Sequence, residues 1–292
     1  MKKTILALAL MAVAGVAQAQ VTVGGKVGAY YENVEVGASS TTRASTEPTN
    51  NINITAQEKL GGGLTATAVM ETSIGDNTFG TPGTRLGDRQ MTVGVSNSFA
   101  SLSLGRNTHG LFNAIAGSDV FGAVYGSLAG DVHNLRGLRL SDAVFVTLNP
   151  AKGISVGIDQ TQGLAQEVTV VSGSGKVGPV TAGIARYDAG REESTVLTAS
   201  TKVAGFNVTY SHSDNKGAYA YKGDLVGVSR TRGPVTLKAS YGRTNRDVDA
   251  YAIGADYHLS KRTDIVVAYR NVDAKVNAAD TSQIGIGLVH RF

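Results

Sequence analysis

Residues 283–292 read QIGIGLVHRF and end the chain. Ile284, Ile286 and Leu288 occupy every second position, and His290 and Phe292 continue the same face. Because successive side chains of a β-strand point to opposite sides, alternation of this kind indicates a strand with one apolar face. The last ten residues therefore predict a strand that ends on an aromatic side chain.

The same period of two runs through most of the chain after residue 20. In LTATAVME at 64–71, Leu64, Ala66, Ala68 and Met70 share one face, while the threonines and Glu71 take the other. No helical period persists, and no later stretch approaches the roughly 20 apolar residues of a membrane helix. The alternation predicts strands near 21–36, 50–60, 64–74, 88–96, 99–107, 138–148, 154–161, 166–173, 179–188, 194–202, 206–214, 219–231, 235–244, 249–259, 263–272 and 281–292.

The connections between these sixteen predicted strands alternate in length. An even number of antiparallel strands returns both termini to the same end, which here is the end with short turns. Outer-membrane barrels have this arrangement, with short turns in the periplasm and longer loops outside. The short connections are 61–63, 97–98, 149–153, 203–205, 232–234 and 260–262, and longer ones such as 37–49, 75–87 and 107–137 lie between them.

A sheet that faces lipid must have no open edge, because each unsatisfied amide in hydrocarbon costs several kcal/mol. The sequence therefore predicts a 16-stranded antiparallel transmembrane β-barrel, apolar outside and polar in its lumen. A soluble β-sandwich is the alternative, and it would turn the aromatic residues toward a core. In the barrel, aromatics near strand ends are expected to form interfacial girdles, namely Tyr30, Tyr31, Phe99, Tyr187, Phe206, Tyr210, Tyr241, Tyr251, Tyr257 and Phe292.

The first nineteen residues, MKKTILALALMAVAGVAQA, have the layout of a secretory signal peptide. Lys2 and Lys3 precede an apolar run at 4–16, and Ala17 and Ala19 frame a small-x-small cleavage site. Residues 20–292 are then one pore domain.

Removing two lysines lowers the formal charge from +4 to +2, and an exported protein would not meet nucleic acid. The absence of cysteine excludes a disulfide framework, an iron–sulfur cluster and a thiol nucleophile.

Three stretches resemble the trimeric porins of Gram-negative bacteria, of the kind common in betaproteobacteria. The G-L-x-H-x-F end is similar to the family's last strand, NINITAQEKLGGGLTATAVMETSIGD at 51–76 to its second and third strands, and DRQMTVGVSNSFASLSLGRNTHG at 88–110 to the next two. The resemblance implies a homotrimeric outer-membrane channel for passive diffusion of ions and small hydrophilic solutes. It also implies contact with outer-membrane lipid and lipopolysaccharide, and an assembly signal at Phe292.

In that family a long loop folds back into the pore, and residues 107–137 are the matching candidate. The stretch LFNAIAGSDVFGAVYGSLAGD is too apolar to extend into water, so it is expected to pack against something. We interpret it as a constriction loop that rests on the barrel wall and narrows the lumen. An external cap or a subunit contact is the alternative.

The selectivity of such a channel depends on the charges at its neck. Parity places Lys26, Arg139, Lys238 and Arg270 on the polar face, and the resemblance implies Arg89, Arg106 and Arg139 on the wall opposite the loop. The loop offers two acids, Asp119 and Asp131. The neck is therefore expected to be basic and weakly anion-preferring. The acidic residues on the polar face are Glu32, Glu71, Asp159, Asp256 and Asp264.

One position breaks the alternation. Asp142 falls on the lipid side between Leu140 and Val144, which indicates a subunit-facing position, a β-bulge or a different register.

The sequence contains little that indicates catalysis. The five histidines show no metal-ligand spacing, and no phosphate-binding loop occurs, so neither a metal nor a cofactor is expected. Ser211, His212 and Ser213 are adjacent, but no acid is placed to orient the histidine as in a hydrolase. Two other functions fit a barrel: a substrate-specific channel, in which Phe112, Phe121 and Tyr125 would form an aromatic path, and a structural or adhesive barrel with a plugged lumen.

Overall fold

The computed structural model describes residues 19–47, 49–74, 86–163, 167–218, 220–246, 248–274 and 280–292. Within these ranges, every strand pairing is antiparallel, and the last strand returns to pair with the first, which closes the sheet. The elements are β1 (Gln20–Val36), β2 (Ser39–Thr46), β3 (Asn51–Gly61), β4 (Leu64–Ser73), β5 (Gln90–Ser96), β6 (Ala100–Thr108), α1 (Gly110–Ser118), α2 (Ala129–Val132), β7 (Arg139–Ala151), β8 (Ile154–Thr161), β9 (Thr169–Val177), β10 (Val180–Ala189), β11 (Glu192–Val203), β12 (Phe206–Lys216), β13 (Tyr221–Arg232), β14 (Val235–Thr244), β15 (Val248–His258), β16 (Thr263–Ala274) and β17 (Thr281–Arg291). Neither helix is long or apolar enough to cross a membrane.

The first strand pairs with two successive strands, one along each of its halves. β2 pairs with residues 29–36 of β1, and β3 pairs with residues 20–26 of the same strand. Together β2 and β3 make one wall strand, interrupted near residues 47–50, so the wall has the sixteen strands that were predicted. The prediction of a loop at 37–49 was wrong for residues 39–46. Most side chains of this stretch, SSTTRAST, are exposed, and apolar residues do not alternate along it. The pattern that identified the other strands is therefore missing here.

The apolar face of the sheet is the outer one. Val93 is 60% exposed, whereas its neighbour Thr92 is 9% exposed and points inward. The same contrast recurs along the other strands, and in β17 Ile284, Ile286 and Leu288 are all about half exposed. A soluble sandwich would bury these side chains, so the closed barrel with an apolar exterior is confirmed.

The aromatic residues divide between the two faces. Eight of the ten predicted for the girdles are exposed on the outside, namely Tyr31, Phe99, Phe206, Tyr210, Tyr241, Tyr251, Tyr257 and Phe292. The prediction was wrong for Tyr30 and Tyr187, which point inward. Tyr30 is 3% exposed and Tyr187 packs beside His109. Their parity differs from that of the outer aromatics, and both contact the chain between β6 and β7.

Asp142 lies in a β-bulge, one of the three alternatives left open. Gly105 pairs with Ala143 and Asn107 pairs with Leu140, so two residues of β7 face one residue of β6. Asp142 has a φ of 51°, in the left-handed region that aspartate tolerates better than most residues. The extra residue shifts the parity of β7 and leaves the Asp142 side chain exposed.

Candidate functional site

Residues 109–138, which we call the packed segment, lie against the inner face of the sheet. Leu111 and Ile115 of α1 are fully buried. The strands that α1 contacts are β8 to β12. The side chains that cover this helix are apolar residues on the polar-side parity of their strands, namely Phe145, Val170, Ala185 and Val196. The apolar content of the segment is therefore buried inside the barrel, and not at an external surface.

The start of α1 is held by polar contacts. The Nδ1 atom of His109 accepts a hydrogen bond from the backbone N–H of Phe112 at 3.2 Å, which caps the helix. The backbone N–H of Gly110 donates to Oδ2 of Asp159 at 2.7 Å, so the carboxylate predicted on the polar face of β8 holds the helix terminus. A Cβ atom at residue 110 would come within 2.6 Å of the Ser172 hydroxyl, and only glycine permits this approach.

The second half of the packed segment follows β12 to β17 and reaches β1. The ring of Tyr125 stacks on Tyr30 with centroids 3.9 Å apart and planes inclined by 7°. Phe121 and Tyr125 are 4% and 7% exposed. They are anchors against the wall, which argues against their use as an aromatic path for a solute.

Glycines in the strands make room for this contact. A Cβ atom on Gly223 would lie 2.0 Å from the carbonyl oxygen of Val132, and one on Gly285 would lie 2.1 Å from the Tyr125 hydroxyl. No role was predicted for these glycines from the sequence. Their positions could have revealed one, because they lie on the inner face of their strands, where a barrel of this kind otherwise carries polar side chains.

Polar side chains fix the far end of the segment. The two ring nitrogens of His133 lie 2.8 Å from the Ser213 hydroxyl and 2.9 Å from the Ser211 hydroxyl. Arg270 donates to the carbonyl oxygen of Ser127 and to Oδ1 of Asp131, both at 2.9 Å. The hydroxyl groups of Ser211 and Ser213 thus bond to a different histidine and attach the segment. The prediction that no acid orients His212 was wrong, because Oδ1 of Asp224 lies 2.9 Å from its Nδ1 atom, but the two serines point to the other face of the strand.

Acid is expected to loosen the packed segment. Burial lowers the pKa of His133 to about 4 and that of His109 to about 4. An exposed histidine titrates near 6.5, so the detached segment binds protons more readily than the attached one. Attachment is then strongest above pH ~6.5 and weakens as the pH falls toward 4.

We expect hydrogen exchange at residues 129–133 to show an opening free energy that falls by up to about 3 kcal/mol per buried histidine between pH 7 and pH 4. His133→Gln keeps both hydrogen-bonding capacities without a titrating group, so it should remove one histidine's share of this change. Burial also raises the pKa of Asp131, and this contribution persists in the variant. An unchanged pH dependence in His133→Gln would contradict the assignment.

The strands that the packed segment leaves uncovered carry a cluster of arginines, Arg89, Arg106 and Arg139. Arg89 forms an ion pair with Glu71. Arg106 donates to the carbonyl oxygen of Asp88 at 2.6 Å and to the Ser141 hydroxyl at 2.5 Å. The charges of Arg89, Arg106, Glu71 and Asp88 all act on Arg139. The structure therefore brings together the three arginines that the resemblance implied.

Arg139 carries a charge that no neighbour neutralises directly. No carboxylate lies within ion-pair distance of it in the part of the chain that the structure describes, and its buried Nε atom has no hydrogen-bond partner there. Lys26 lies near Arg89 and is paired with Glu47 at 3.6 Å. The cluster and Lys26 contribute four positive charges against three negative ones from Glu47, Glu71 and Asp88. Neither Glu47 nor Asp88 was predicted as a site residue, because Glu47 lies in the predicted loop at 37–49 and Asp88 is the first residue of the predicted strand at 88–96, where parity does not fix the direction of a side chain.

The two acids of the packed segment do not offset this charge. Asp119 accepts hydrogen bonds from the backbone N–H groups of Phe121 and Ala123 and from the Ser127 hydroxyl at 2.6 Å. Asp131 is neutralised by Arg270. Both carboxylates thus serve the fold of the segment.

The remaining predicted charges lie on the inner face but away from the arginine cluster. Lys238 pairs with Asp256 at 2.6 Å, and its ammonium lies 5.6 Å from the centre of the Phe121 ring. Glu32 accepts from Arg43 at 3.0 Å and from Gln283 at 2.6 Å. Asp264 accepts from His258 at 2.7 Å and pairs with Arg291. These pairs are locally neutral.

Phe292 lies at the seam where the sheet closes. Its backbone N–H donates to the carbonyl of Gly25, and its carbonyl accepts from the N–H of Gly25, both at 3.1 Å. Its ring covers Gly25, because a Cβ atom there would come within 2.7 Å of the ring. The side chain is 43% exposed on the outer surface.

Comparison with known proteins agrees with this architecture. A sequence model of the Gram-negative porin family matches residues 6–292. The outer membrane porin protein 32 of Delftia acidovorans is 25% identical over 328 residues, which cover 100% of this chain and 86% of that protein. Among solved structures, the anion-selective porin from Comamonas acidovorans superposes with a TM-score of 0.78 at 19% identity, covering 94% of this chain and 100% of that one. A mutant of the Rh. blastica porin gives a TM-score of 0.73 at 17% identity, with 94% and 100% covered.

The family match extends over nearly the whole chain, and the closed barrel has an apolar exterior and a charged interior. The protein belongs to the Gram-negative porin family and forms a channel through the outer membrane for ions and small solutes.

Proposed function

We propose that this porin is a passive diffusion channel with a weak preference for anions, narrowed by the stretch 107–137. The observation that carries the preference is the charge balance around Arg139. Three arginines and Lys26 face three carboxylates, and the acids of the packed segment are bonded to other groups. A net excess of one positive charge at a narrow, water-filled neck favours anions modestly, because salt screens it.

One of the similar solved structures has a stated ion selectivity. The Comamonas acidovorans structure is described as anion-selective. At 19% identity that likeness supports the fold, so the argument for selectivity rests on the residues of this chain.

The zero-current potential across a KCl gradient tests the proposal. Chloride is expected to permeate more readily than potassium, with a ratio of roughly two to five at low salt, because one unit charge a few ångströms from the ion path is worth on the order of 1 kcal/mol before screening. The ratio should approach one as the salt concentration rises. A potassium preference at low salt would overturn it.

We infer three further properties from the family. Residues 1–19 act as a signal peptide; all but the last of them lie outside the described residues. Phe292 serves as an assembly signal, and its exposed ring at the closing seam is accessible to an assembly factor. The channel is a homotrimer in contact with lipopolysaccharide, and the apolar outer positions Val21, Val23 and Val27 of β1 are available for subunit contact. Slow gel migration that is lost on boiling would support the trimer.

A further inference from the structure

The end of the barrel with short turns carries eight exposed basic residues, which we call the basic rim. Six of the seven turns at this end contribute at least one of them. None of the eight forms an ion pair with any carboxylate in the described part of the chain. Short turns mark the periplasmic end of such barrels. The members are Lys59, Lys152, Lys176, Lys202, Arg230, Arg232, Lys261 and Arg262.

Acidic residues do not balance this charge. Glu58 is the one carboxylate within the described turns and their adjoining strand ends that is not already paired. Asp256 and Asp264, slightly deeper in the barrel, are bonded to Lys238 and Arg291.

Several cations at the opposite end of the barrel have partners. Lys216 lies 3.2 Å from Glu193, Lys222 lies 3.1 Å from Asp214, and Arg186 lies 3.0 Å from Glu193. Exposed arginines without an ion pair among the described residues also occur at that end, but carboxylates lie there with them, for example Glu35, Asp273 and Asp280. The excess of positive over negative charge is therefore a property of the end with short turns.

Large exposed apolar side chains adjoin the rim cations. Leu60 follows Lys59, Val177 follows Lys176 and is 77% exposed, and Val203 follows Lys202 and is 57% exposed. Leu259 precedes Lys261 by two residues and is 53% exposed. Successive residues of a strand point to opposite faces, so Lys59, Lys176 and Lys202 lie on the lumen side of the rim. Arg230 and Arg232 share the outer face with Val226 and Val228, and Lys261 and Arg262 lie in the turn next to Leu259. The boundary between acyl chains and headgroups accommodates both these cations and their apolar neighbours.

The orientation of Arg230 agrees with this location. Its guanidinium lies 4.7 Å from the centre of the Phe206 ring, on the outer face of the barrel. An arginine stacked on an outward aromatic residue presents its donors beside the apolar band, at the depth of lipid phosphates.

We propose that the basic rim binds the phosphate groups of anionic phospholipids, of the phosphatidylglycerol class, in the periplasmic leaflet of the outer membrane. The exposed apolar side chains insert among the acyl chains, and the cations of the outer face and of the turn at 259–262, namely Arg230, Arg232, Lys261 and Arg262, reach the phosphates. A polyanionic polymer such as the cell wall would use the charges but not the apolar residues. Each Lys or Arg near an anionic lipid surface strengthens association by about five-fold.

Spin-labelled lipids measure this preference directly. The folded protein is reconstituted in phosphatidylcholine, and the relative association of spin-labelled phosphatidylglycerol and phosphatidylcholine is determined at low and high salt. Phosphatidylglycerol is expected to be preferred several-fold at low salt, less at high salt. In the triple variant Arg230→Gln, Arg232→Gln, Lys261→Gln the preference should fall at least three-fold.

Two matched variants isolate the rim. The same number of exposed cations is removed from the other end by Lys216→Gln, Lys222→Gln, Arg246→Gln, which should leave the preference intact. Replacing Arg230 and Arg232 by lysine and Lys261 by arginine keeps the charge and should also leave it intact, which excludes misfolding as the cause of the loss.

Four results would overturn the proposal. One is an equal association of the two lipids with the unmodified protein. Another is an equal loss in the variant of the opposite end. The third is displacement of phosphatidylglycerol by millimolar inorganic phosphate at constant ionic strength, which would identify a site for soluble phosphate. Binding of the rim to isolated cell-wall sacculi without a lipid preference would likewise assign it to the polymer. The channel function is unaffected by any of these outcomes, since conductance is measured separately.

Discussion

Replacing Arg89, Arg106 and Arg139 by glutamine is expected to convert the channel from weakly anion-preferring to cation-preferring. The substitution removes three positive charges and leaves Glu71 and Asp88 in the same region. With Lys26 still paired to Glu47, the local balance changes from one positive to two negative charges. Zero-current potentials in a KCl gradient should show the chloride-to-potassium permeability ratio falling by on the order of ten-fold at low salt.

A neutral pair on the inner face supplies the control. Lys238 and Asp256 lie 2.6 Å apart, so the double variant Lys238→Gln, Asp256→Asn removes two charges and leaves the balance unchanged. Its permeability ratio should equal that of the unmodified channel. If this control shifts the ratio as much as the triple variant, selectivity does not originate at the arginine cluster.

Replacing residues 111–132 by a short glycine–serine linker is expected to raise the single-channel conductance roughly two-fold or more, because a barrel of sixteen strands encloses an aqueous channel and the stretch occupies part of it. The linker also exposes the apolar inner-face residues Leu225, Ala250 and Val272 to water, so the barrel should unfold at a lower temperature.

A single substitution tests the contact between the packed segment and the wall. Gly285→Ala places a methyl group 2.1 Å from the Tyr125 hydroxyl and should displace that ring, which increases current noise.

Gly175 is the matched position for this variant. It lies in β9, and a Cβ atom there meets nothing within 4 Å. Gly175→Ala should therefore conduct like the unmodified protein. Unchanged conductance in the linker variant would mean that the packed segment does not narrow the channel.

The wall of the barrel was predictable because lipid outside and water inside impose a period of two on almost every strand. The strand predicted at 166–173 is present but displaced toward the C-terminus, and the structure explains why its apolar residues do not alternate. The strand is Thr169–Val177, and Val170 and Val171 are both apolar because α1 covers the first and lipid faces the second. Apolar and polar residues therefore do not alternate at this position, because the packed segment covers the inner face of the strand.

The packed segment also covers other inner-face residues, and these contacts were not predicted from the sequence. Leu225 and Val226 are adjacent apolar residues for the same reason, and Tyr30 points inward because Tyr125 covers it. Such contacts join residues about 100 positions apart, and parity within one strand carries no information about them. The orientation of the Asp119 carboxylate likewise depends on its hydrogen bonds within the packed segment, and strand parity does not predict these bonds. The numbers of basic and acidic residues therefore predicted the sign of the proposed ion selectivity, and the structure shows which of these charges are paired with one another.

The central claim is that one face of each strand borders a continuous column of water while the other borders lipid. The chain has no cysteine, so single substitutions report on this directly. Ser103→Cys places a thiol on the inner face, opposite Phe145 of the neighbouring strand, and Leu104→Cys places one on the outer face, where Leu104 is 49% exposed. During current recording, a charged, membrane-impermeant thiol reagent should reduce the current through Ser103→Cys in discrete steps and leave Leu104→Cys unchanged. Modification of Leu104→Cys with a change in current, and none of Ser103→Cys, would contradict the account.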